Sequence, residues 1–173
     1  MKVKYVFLLL LCVSLMLSGC RKQTDYLSYQ SYPMKVKGTL TVDTLCTTLT
    51  LEMKEYGKGE IIFDSPERLK GYRLSVDNDG IWINYEDIRA ELNEEGLGIG
   101  ASLLVDMFSC KADTLSEISK HDIGKTEHTR LVYPKEGICV AVYLAPGKTL
   151  PTQIEAISDD SCAIFAIDSI SYR

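Results

Sequence analysis

The stretch 72–85, which reads YRLSVDNDGIWINY, decides the fold because it encodes a complete hairpin. Apolar side chains alternate with polar ones in 72–76, which is the period of a half-buried strand, and the apolar-rich segment 81–85 resumes the strand. The segment 77–80 between them has the composition DNDG, which tolerates a positive φ. The sequence therefore predicts two antiparallel strands joined by a tight turn.

The same period continues on both sides of this hairpin. Apolar or small residues occupy alternate positions of 34–42, and they do so again in 45–53. A short return strand follows, and three more strands separated by short polar turns lie near the C-terminus. These four are predicted at 60–63, 138–144, 153–157 and 163–172. Such spacing predicts an antiparallel meander.

One segment has a helical period instead. Apolar side chains recur at three- and four-residue spacing at Leu103, Leu104, Met107 and Phe108. This spacing predicts an amphipathic helix that starts near residue 100, with Ser102 as its N-cap. A weaker helical pattern covers 114–119. An antiparallel sheet with one main helix has to bury one face against that helix, so the predicted fold class is α+β.

The N-terminus has the layout of a secretory signal. Lys2 and Lys4 precede an apolar run at 6–17, which is too short for the about 20 residues of a membrane-crossing helix. The run ends in a leucine, two small residues and a cysteine, namely Leu17, Ser18, Gly19 and Cys20. This tetrad resembles the lipobox of bacterial lipoproteins, in which a signal peptidase recognises the first three residues and the cysteine thiol takes up a diacylglyceryl group.

The lipobox resemblance implies that residues 1–19 are removed and that the lipid on Cys20 holds the chain on the extracytoplasmic face of the cell membrane. The alternatives are an uncleaved anchor and an ordinary signal followed by a chance cysteine. The polar, tyrosine-rich segment 20–33 is then a lipidated N-terminus and tether, and 34–173 is a single domain.

The net negative charge of the mature chain argues against polyanionic partners. Of the 173 residues 154 remain after cleavage, and two of the 19 basic residues leave with the signal. The 17 basic and 24 acidic side chains that remain give a net charge of −7. Nucleic acids and anionic headgroups are poor partners for such a surface, so we expect no nucleic-acid binding.

The motifs in the chain do not predict an enzyme. Gly96, Gly98 and Gly100 fit a loose dinucleotide fingerprint, but that motif requires a parallel βαβ unit and hairpins lie on both sides. His121 and His128 lack partners at metal-ligand or catalytic spacing, and the acidic clusters fall in loops, where charges are usually solvated. We therefore expect no catalytic residue, no metal site and no cofactor.

Four cysteines remain in the predicted domain, namely Cys46, Cys110, Cys139 and Cys162. They allow three full pairings. Cys139 and Cys162 are predicted to lie two strands apart, about 10 Å, beyond the about 7 Å that a disulfide can bridge between Cα atoms. The alternatives left are four small buried hydrophobes, or a bridge between Cys46 and Cys110.

The order of these features resembles the LolA-like lipoprotein-carrier superfamily. The resemblance covers about 34–172 and depends on a proline-containing segment before the Trp82 hairpin, on the apolar helix, and on a Leu-Pro-x-x-Ile-Glu entry to the penultimate strand. These motifs are FDSPERLKG at 63–71 and LPTQIE at 150–155. The resemblance implies a strongly curved, incomplete antiparallel barrel with the helix over its concave face. Among members, the chain is more similar to lipid-anchored proteins of Gram-positive bacteria, including a clostridial spore germination lipoprotein, than to the soluble periplasmic carrier.

The superfamily implies a binding protein rather than an enzyme. Its members hold acyl chains, lipids or lipoproteins in an apolar cavity, or use the same shell to dock proteins. The expected cavity wall is Leu103, Leu104, Met107 and Phe108, together with one parity of the strand residues. The alternative for these side chains is a filled core. The alternative function is a non-enzymatic scaffold that docks or activates a cell-envelope protein, for example in sporulation or germination.

Overall fold

The structure, a computed structural model, describes residues 25–42, 44–92, 97–135, 137–158 and 162–173. The predicted signal, the lipobox with Cys20, and the start of the tether lie outside these ranges. In the described part of the chain, no helix is long and apolar enough to cross a bilayer.

Eleven strands form one antiparallel sheet within the described ranges. They are β1 Met34–Val42, β2 Leu45–Glu55, β3 Lys58–Phe63, β4 Arg73–Asp77, β5 Gly80–Tyr85, β6 Ile88–Leu92, β7 Glu117–Ile123, β8 Thr126–Lys135, β9 Ile138–Leu144, β10 Pro151–Ile157 and β11 Cys162–Tyr172. Their order in the sheet is β6-β5-β4-β3-β2-β1-β11-β10-β9-β8-β7. The sheet is therefore two meanders joined where β1 pairs with β11, and it stays open at β6 and β7.

The helix α1, Leu97–Met107, lies in the chain between β6 and β7, which are the two edge strands of the sheet. It contacts β3, β4 and β5 in one meander and β10 in the other. The predicted antiparallel sheet with one main helix is confirmed for the described residues, and so is the class α+β.

The core lies on one face of the sheet because side chains alternate along each strand. Met34 and Val36 of β1 are paired with Met53 and Leu51 of β2, and all four are at most 2% exposed. Fully burying a side chain of this size stabilises the fold by about 1.5–3 kcal/mol. Hydrophobic burial along these strand pairs therefore fixes which face points inward.

Gly38 allows the two meanders to join closely. A Cβ at this position would lie 2.2 Å from the carbonyl oxygen of Ala166 on β11, a separation that no side chain tolerates. The β1–β11 register also shifts between Lys37 and Gly38, which is the mark of a bulge. Bulges bend strands and increase their twist, so the junction between the meanders is a bend in the sheet.

Three of the strands were not predicted from the sequence, and one of the helical predictions was wrong. The segment 114–119, expected to be weakly helical, is instead the end of a 3-10 turn at Ala112–Thr114 followed by β7. Most side chains of β7 are exposed, so it carries no apolar period. The strands β6 and β8 were also missed.

The bounds of the helix also differ from the prediction. α1 begins at Leu97 rather than near residue 100, so Ser102 lies within the helix and is not its N-cap. The side-chain spacing predicted the helix correctly. The serine that was predicted to cap it lies inside the helix.

Part of the expected tether is packed against the domain. Tyr29 is 1% exposed and belongs to the hydrophobic core, while Tyr26, Leu27 and Tyr32 pack against that core. We call the segment 25–33 the strap. Aromatic side chains bury large apolar areas, which explains why this polar but tyrosine-rich segment is held on the domain.

Candidate functional site

An apolar cavity of about 370 Å³ lies between α1 and the β1–β5 half of the sheet. It is lined by Leu40, Val42, Leu45, Thr47, Phe63, Leu69, Tyr72, Leu74, Ile83, Gly100, Ala101 and Leu104. Ligand pockets in proteins have volumes of about 300–1,000 Å³ and mostly apolar walls. The cavity is therefore of a size and character suited to a small apolar ligand.

The sheet wall of this cavity follows from strand alternation. Leu40 and Val42 share one face of β1 with the buried Val36, because side chains two positions apart point the same way. Leu74 and Ile83 are directly paired across β4 and β5, so they also share a face. The same alternation that builds the core thus continues into the cavity wall.

Thr47 brings one polar group to this wall, and that group is satisfied. Its side chain is buried, and its hydroxyl donates a hydrogen bond to the carbonyl oxygen of Ser65. An unpaired buried hydroxyl would cost about 1–3 kcal/mol. At Thr47 the wall therefore offers a ligand no free donor.

The mouth of the cavity is formed by partly exposed apolar side chains. Leu45, at the start of β2, is 47% exposed although it lines the cavity. Leu69 and Tyr72 flank the turn before β4 and are half-buried. These side chains place apolar surface where a ligand would enter.

The four helix residues expected to line a cavity occupy different environments. Leu104 lines the cavity, next to Gly100 and Ala101. Leu103 is half-buried and packs against the core. Met107 and Phe108 are fully buried in the core, where Phe108 packs edge-to-face on Phe165 with ring centroids 5.8 Å apart.

Other lining residues could have been found in the sequence only in part. The expected contribution from one parity of the strands includes Leu40, Val42, Leu74 and Ile83, which lie on such strands. Leu69 belongs to the proline-containing motif at 63–71, and Tyr72 is the first residue of the hairpin stretch 72–85. Only their apolar character could have identified them in the sequence as lining residues.

The C-terminal end of α1 is held by side-chain hydrogen bonds. Tyr32 of the strap donates to the carbonyl oxygen of Phe108 at 2.7 Å, and Tyr56 donates to that of Ser109 at 2.8 Å. The Ser109 hydroxyl in turn donates to the carbonyl oxygen of Val105 at 2.9 Å. Phe108 and Ser109 directly follow the last helical residue, so the two tyrosine hydroxyls supply donors to carbonyls for which the helix has no further amide. The strap and the β2–β3 turn thus fix this end of the helix.

A second, smaller cavity of about 170 Å³ lies beside this helix end. Its lining includes Cys110, Tyr133 and Lys135, and Lys135 forms an ion pair with Asp106. The buried hydroxyl of Tyr133 has no hydrogen-bond partner among the described residues. Burial is the main cause that raises the pKa of Tyr133, and it raises the pKa of the Cys110 thiol to about 12. Both groups are therefore neutral at pH 7 and are not activated as nucleophiles.

All four cysteines of the domain carry free thiols in the structure. Cys110 is buried, Cys139 and Cys162 are partly buried, and Cys46 is exposed, so the expectation of four buried cysteines holds only for Cys110. Ile157 pairs with Cys162 on one side and with Cys139 on the other. The predicted two-strand separation of Cys139 and Cys162 is thereby confirmed.

The two histidines face each other across the β7–β8 hairpin. His121 is exposed, as is its neighbour Asp122, while His128 is buried with its Nδ1 atom 2.9 Å from the carbonyl oxygen of Thr126. Among the described residues, no three histidine, cysteine or acidic side chains come together as metal ligands would.

Comparisons with known proteins give similarity at the level of structure. No protein-family model matches the chain, and no curated protein matches it in sequence. Among solved structures, it is similar to an uncharacterised conserved protein from Thermus thermophilus, at 9% identity and a TM-score of 0.49, with 86% of this chain and 84% of that chain covered. It is also similar to a LolA superfamily protein from Nitrosomonas europaea, at 8% identity and a TM-score of 0.42, with 81% and 84% covered.

A third similar structure is the lipoprotein LppX from Mycobacterium tuberculosis, at 11% identity and a TM-score of 0.40, with 85% of this chain and 95% of that chain covered. The superfamily that the sequence resembles is thus present among the structures that this chain resembles. The comparison with clostridial germination lipoproteins stays a prediction.

Proposed function

We propose that this chain is a membrane-anchored lipoprotein that binds an acyl chain or a similar apolar ligand in the cavity between α1 and the sheet. The observation that supports it best is the cavity of about 370 Å³ with its apolar wall. A pocket of this volume that is lined mostly by apolar side chains and opens beside the exposed Leu45 has the character of a ligand site. A hydrocarbon chain suits it because the wall residue Thr47 keeps its hydroxyl for Ser65.

We infer that the helix covers the concave side of a curved sheet. α1 contacts both β4 and β10, which are five strands apart in the sheet order. Five strand spacings amount to about 24 Å, whereas an 11-residue helix is about 16 Å long. A sheet that wraps around the helix brings these two strands to it, and such wrapping encloses a cavity.

The anchor is proposed to be the diacylglyceryl group on Cys20. The strap begins at Asp25, five residues after Cys20, a distance of at most about 18 Å when fully extended. The strap itself is packed against the domain, so the domain would be held close to the membrane surface. Mass spectrometry of the mature N-terminal peptide tests this part of the proposal. A peptide that begins at Cys20 and carries a diacylglyceryl mass is expected, whereas an unmodified or uncleaved N-terminus would refute the anchor.

The cavity is tested with a photoactivatable palmitate that carries a diazirine at its methyl end. The probe is added to membranes that contain the full-length protein, and cross-linked peptides are mapped after irradiation. We expect adducts on α1 and on β1–β2, where the cavity wall lies. An absence of adducts on these elements would contradict the proposal.

A pair of variants shows whether the adducts report the cavity. Leu69→Trp adds bulk at a half-buried wall residue and should abolish most labelling. Ile118→Trp places the same side chain on β7, where the isoleucine is 52% exposed and does not line the cavity. Labelling should persist in this control. Equal labelling of both variants would mean that the probe binds elsewhere.

A further inference from the structure

The apolar face that forms the cavity wall continues beyond the cavity to the edge strand β6. Ile83 lines the cavity and is directly paired with Ala90 of β6. Directly opposed residues of an antiparallel pair share one face, with Cβ atoms about 4.5–5.5 Å apart. Ala90 is therefore the next side chain after the cavity wall.

A second line of contacts reaches the same strand. Tyr72 lines the cavity and stacks on Tyr85, with ring centroids 4.3 Å apart. Tyr85 is in turn paired with Ile88 of β6. Two routes from the cavity thus converge on Ile88 and Ala90.

Both of these side chains are open to solvent. Ile88 is 68% exposed, and Ala90 is also exposed. A single exposed isoleucine is ordinary on a protein surface. Ile88 differs because it is continuous with an apolar cavity wall. The charged residues of the same strand alternate to the opposite face, where the guanidinium of Arg89 lies 4.2 Å from the ring centroid of Trp82.

We propose that the inner face of β6 is the outer part of the ligand site and that Ile88 sets the length of acyl chain that is preferred. This inference depends on the proposed cavity function. The methyl end of the chain lies in the cavity, because a carboxylate would lose its hydration among apolar side chains. The carbons nearer the carboxylate lie over Ala90 and Ile88, one strand spacing or about 4.8 Å farther along the sheet.

The direction of the chain is tested with two photoactivatable palmitates in membranes that contain the full-length protein. One carries the diazirine at the methyl end, and the other carries it near the carboxylate. We expect the first probe to label α1, Leu97–Met107, and the second to label β6, Ile88–Leu92. Identical labelling of one element by both probes would refute the proposed arrangement.

The role of Ile88 is tested by competition of laurate and stearate against the methyl-end probe. In Ile88→Ser, stearate should compete about tenfold less well than in the original chain, because the contact with the outer part of the longer chain is lost. Laurate should change by less than about twofold, because a shorter chain does not reach β6. Comparing the variant with the original chain cancels the partitioning of each fatty acid into the bilayer.

Ile118→Ser is the matched control, since it removes an exposed isoleucine from β7, the other edge strand. It should leave both competitions unchanged. If Ile88→Ser and Ile118→Ser give the same stearate competition, Ile88 has no role in chain length. If the methyl-end probe fails to label α1 in any form, the cavity function itself fails. A stoichiometric protein partner that Ile88→Ser releases would also overturn the lipid assignment of this surface.

Discussion

Tyr32 donates a hydrogen bond to the carbonyl oxygen of Phe108 across 76 positions of the chain, with an oxygen–oxygen distance of 2.7 Å. This bond joins the strap to the end of the helix that forms one wall of the cavity. The strap is also the first described segment after Cys20, the proposed lipid attachment site. The proposed membrane attachment therefore lies next to the fixed end of the helix, whereas Gly100 and Ala101 of the cavity wall lie nearer its other end.

Removing this bond should lower stability without changing the fold. In Tyr32→Phe the carbonyl oxygen of Phe108 loses its donor, and we expect a decrease of about 0.5–1.5 kcal/mol in the free energy of unfolding. Urea denaturation followed by circular dichroism measures the change. Tyr26→Phe is the control, because the Tyr26 hydroxyl makes no hydrogen bond to the described residues. Equal effects of the two variants would mean that the Tyr32 bond contributes nothing.

The cavity predicts different costs for two truncations on the same helix. Met107 is fully buried in the core, whereas Leu104 borders the cavity and already lacks neighbours on one side. Large-to-small substitutions in a packed core cost about 2–5 kcal/mol, depending on how the site is surrounded. We expect Met107→Ala to lie near the upper end of this range and Leu104→Ala near the lower end.

Thermal or urea unfolding of the two variants gives this comparison directly. Saturating palmitate should stabilise the original chain and the Met107→Ala variant by similar amounts, since a ligand stabilises the state that binds it. It should stabilise Leu104→Ala less. A larger loss of stability in Leu104→Ala than in Met107→Ala would show that Leu104 is a fully packed core residue.

Much of the architecture could be predicted from alternation alone, because strands with one buried face carry a period of two. The hairpin at 72–85 is the clearest case, since the turn DNDG and both apolar runs agree with each other. The edge strand β7 could not be predicted in this way, because most of its side chains face solvent. Its pairing depends on backbone hydrogen bonds with β8, which leave no periodic signal.

The candidate site was less predictable than the fold. Helical spacing identified four apolar residues, yet only position within the packed structure separates Leu104, which borders a cavity, from Met107, which fills the core. The sequence could not predict that Ile88 extends the apolar cavity wall, because this position depends on the pairing of Ile88 with Tyr85 at the edge of the sheet.

Burial of a thiol and of a tyrosine hydroxyl predicts that the folded chain loses stability at high pH. Burial raises the pKa of the Cys110 thiol from 9.0 to about 12, and burial likewise raises the pKa of Tyr32 from 10.0 to about 12. A group whose pKa is higher in the folded state contributes its full stability below the pKa of the unfolded chain and loses it as the pH rises toward the folded value. The free energy of unfolding should therefore fall between about pH 9 and pH 12.

Thiol labelling tests whether Cys110 stays buried in the folded chain. Alkylation requires the thiolate, so at pH 8 an excess of iodoacetamide should modify the exposed Cys46 quickly and leave the buried Cys110 unmodified in the folded chain. Adding urea should make both react at similar rates. If Cys110 is alkylated as fast as Cys46 without denaturant, the helix end is open in solution. The hydrogen bonds from Tyr32 of the strap and Tyr56 of the β2–β3 turn would then not hold this end closed.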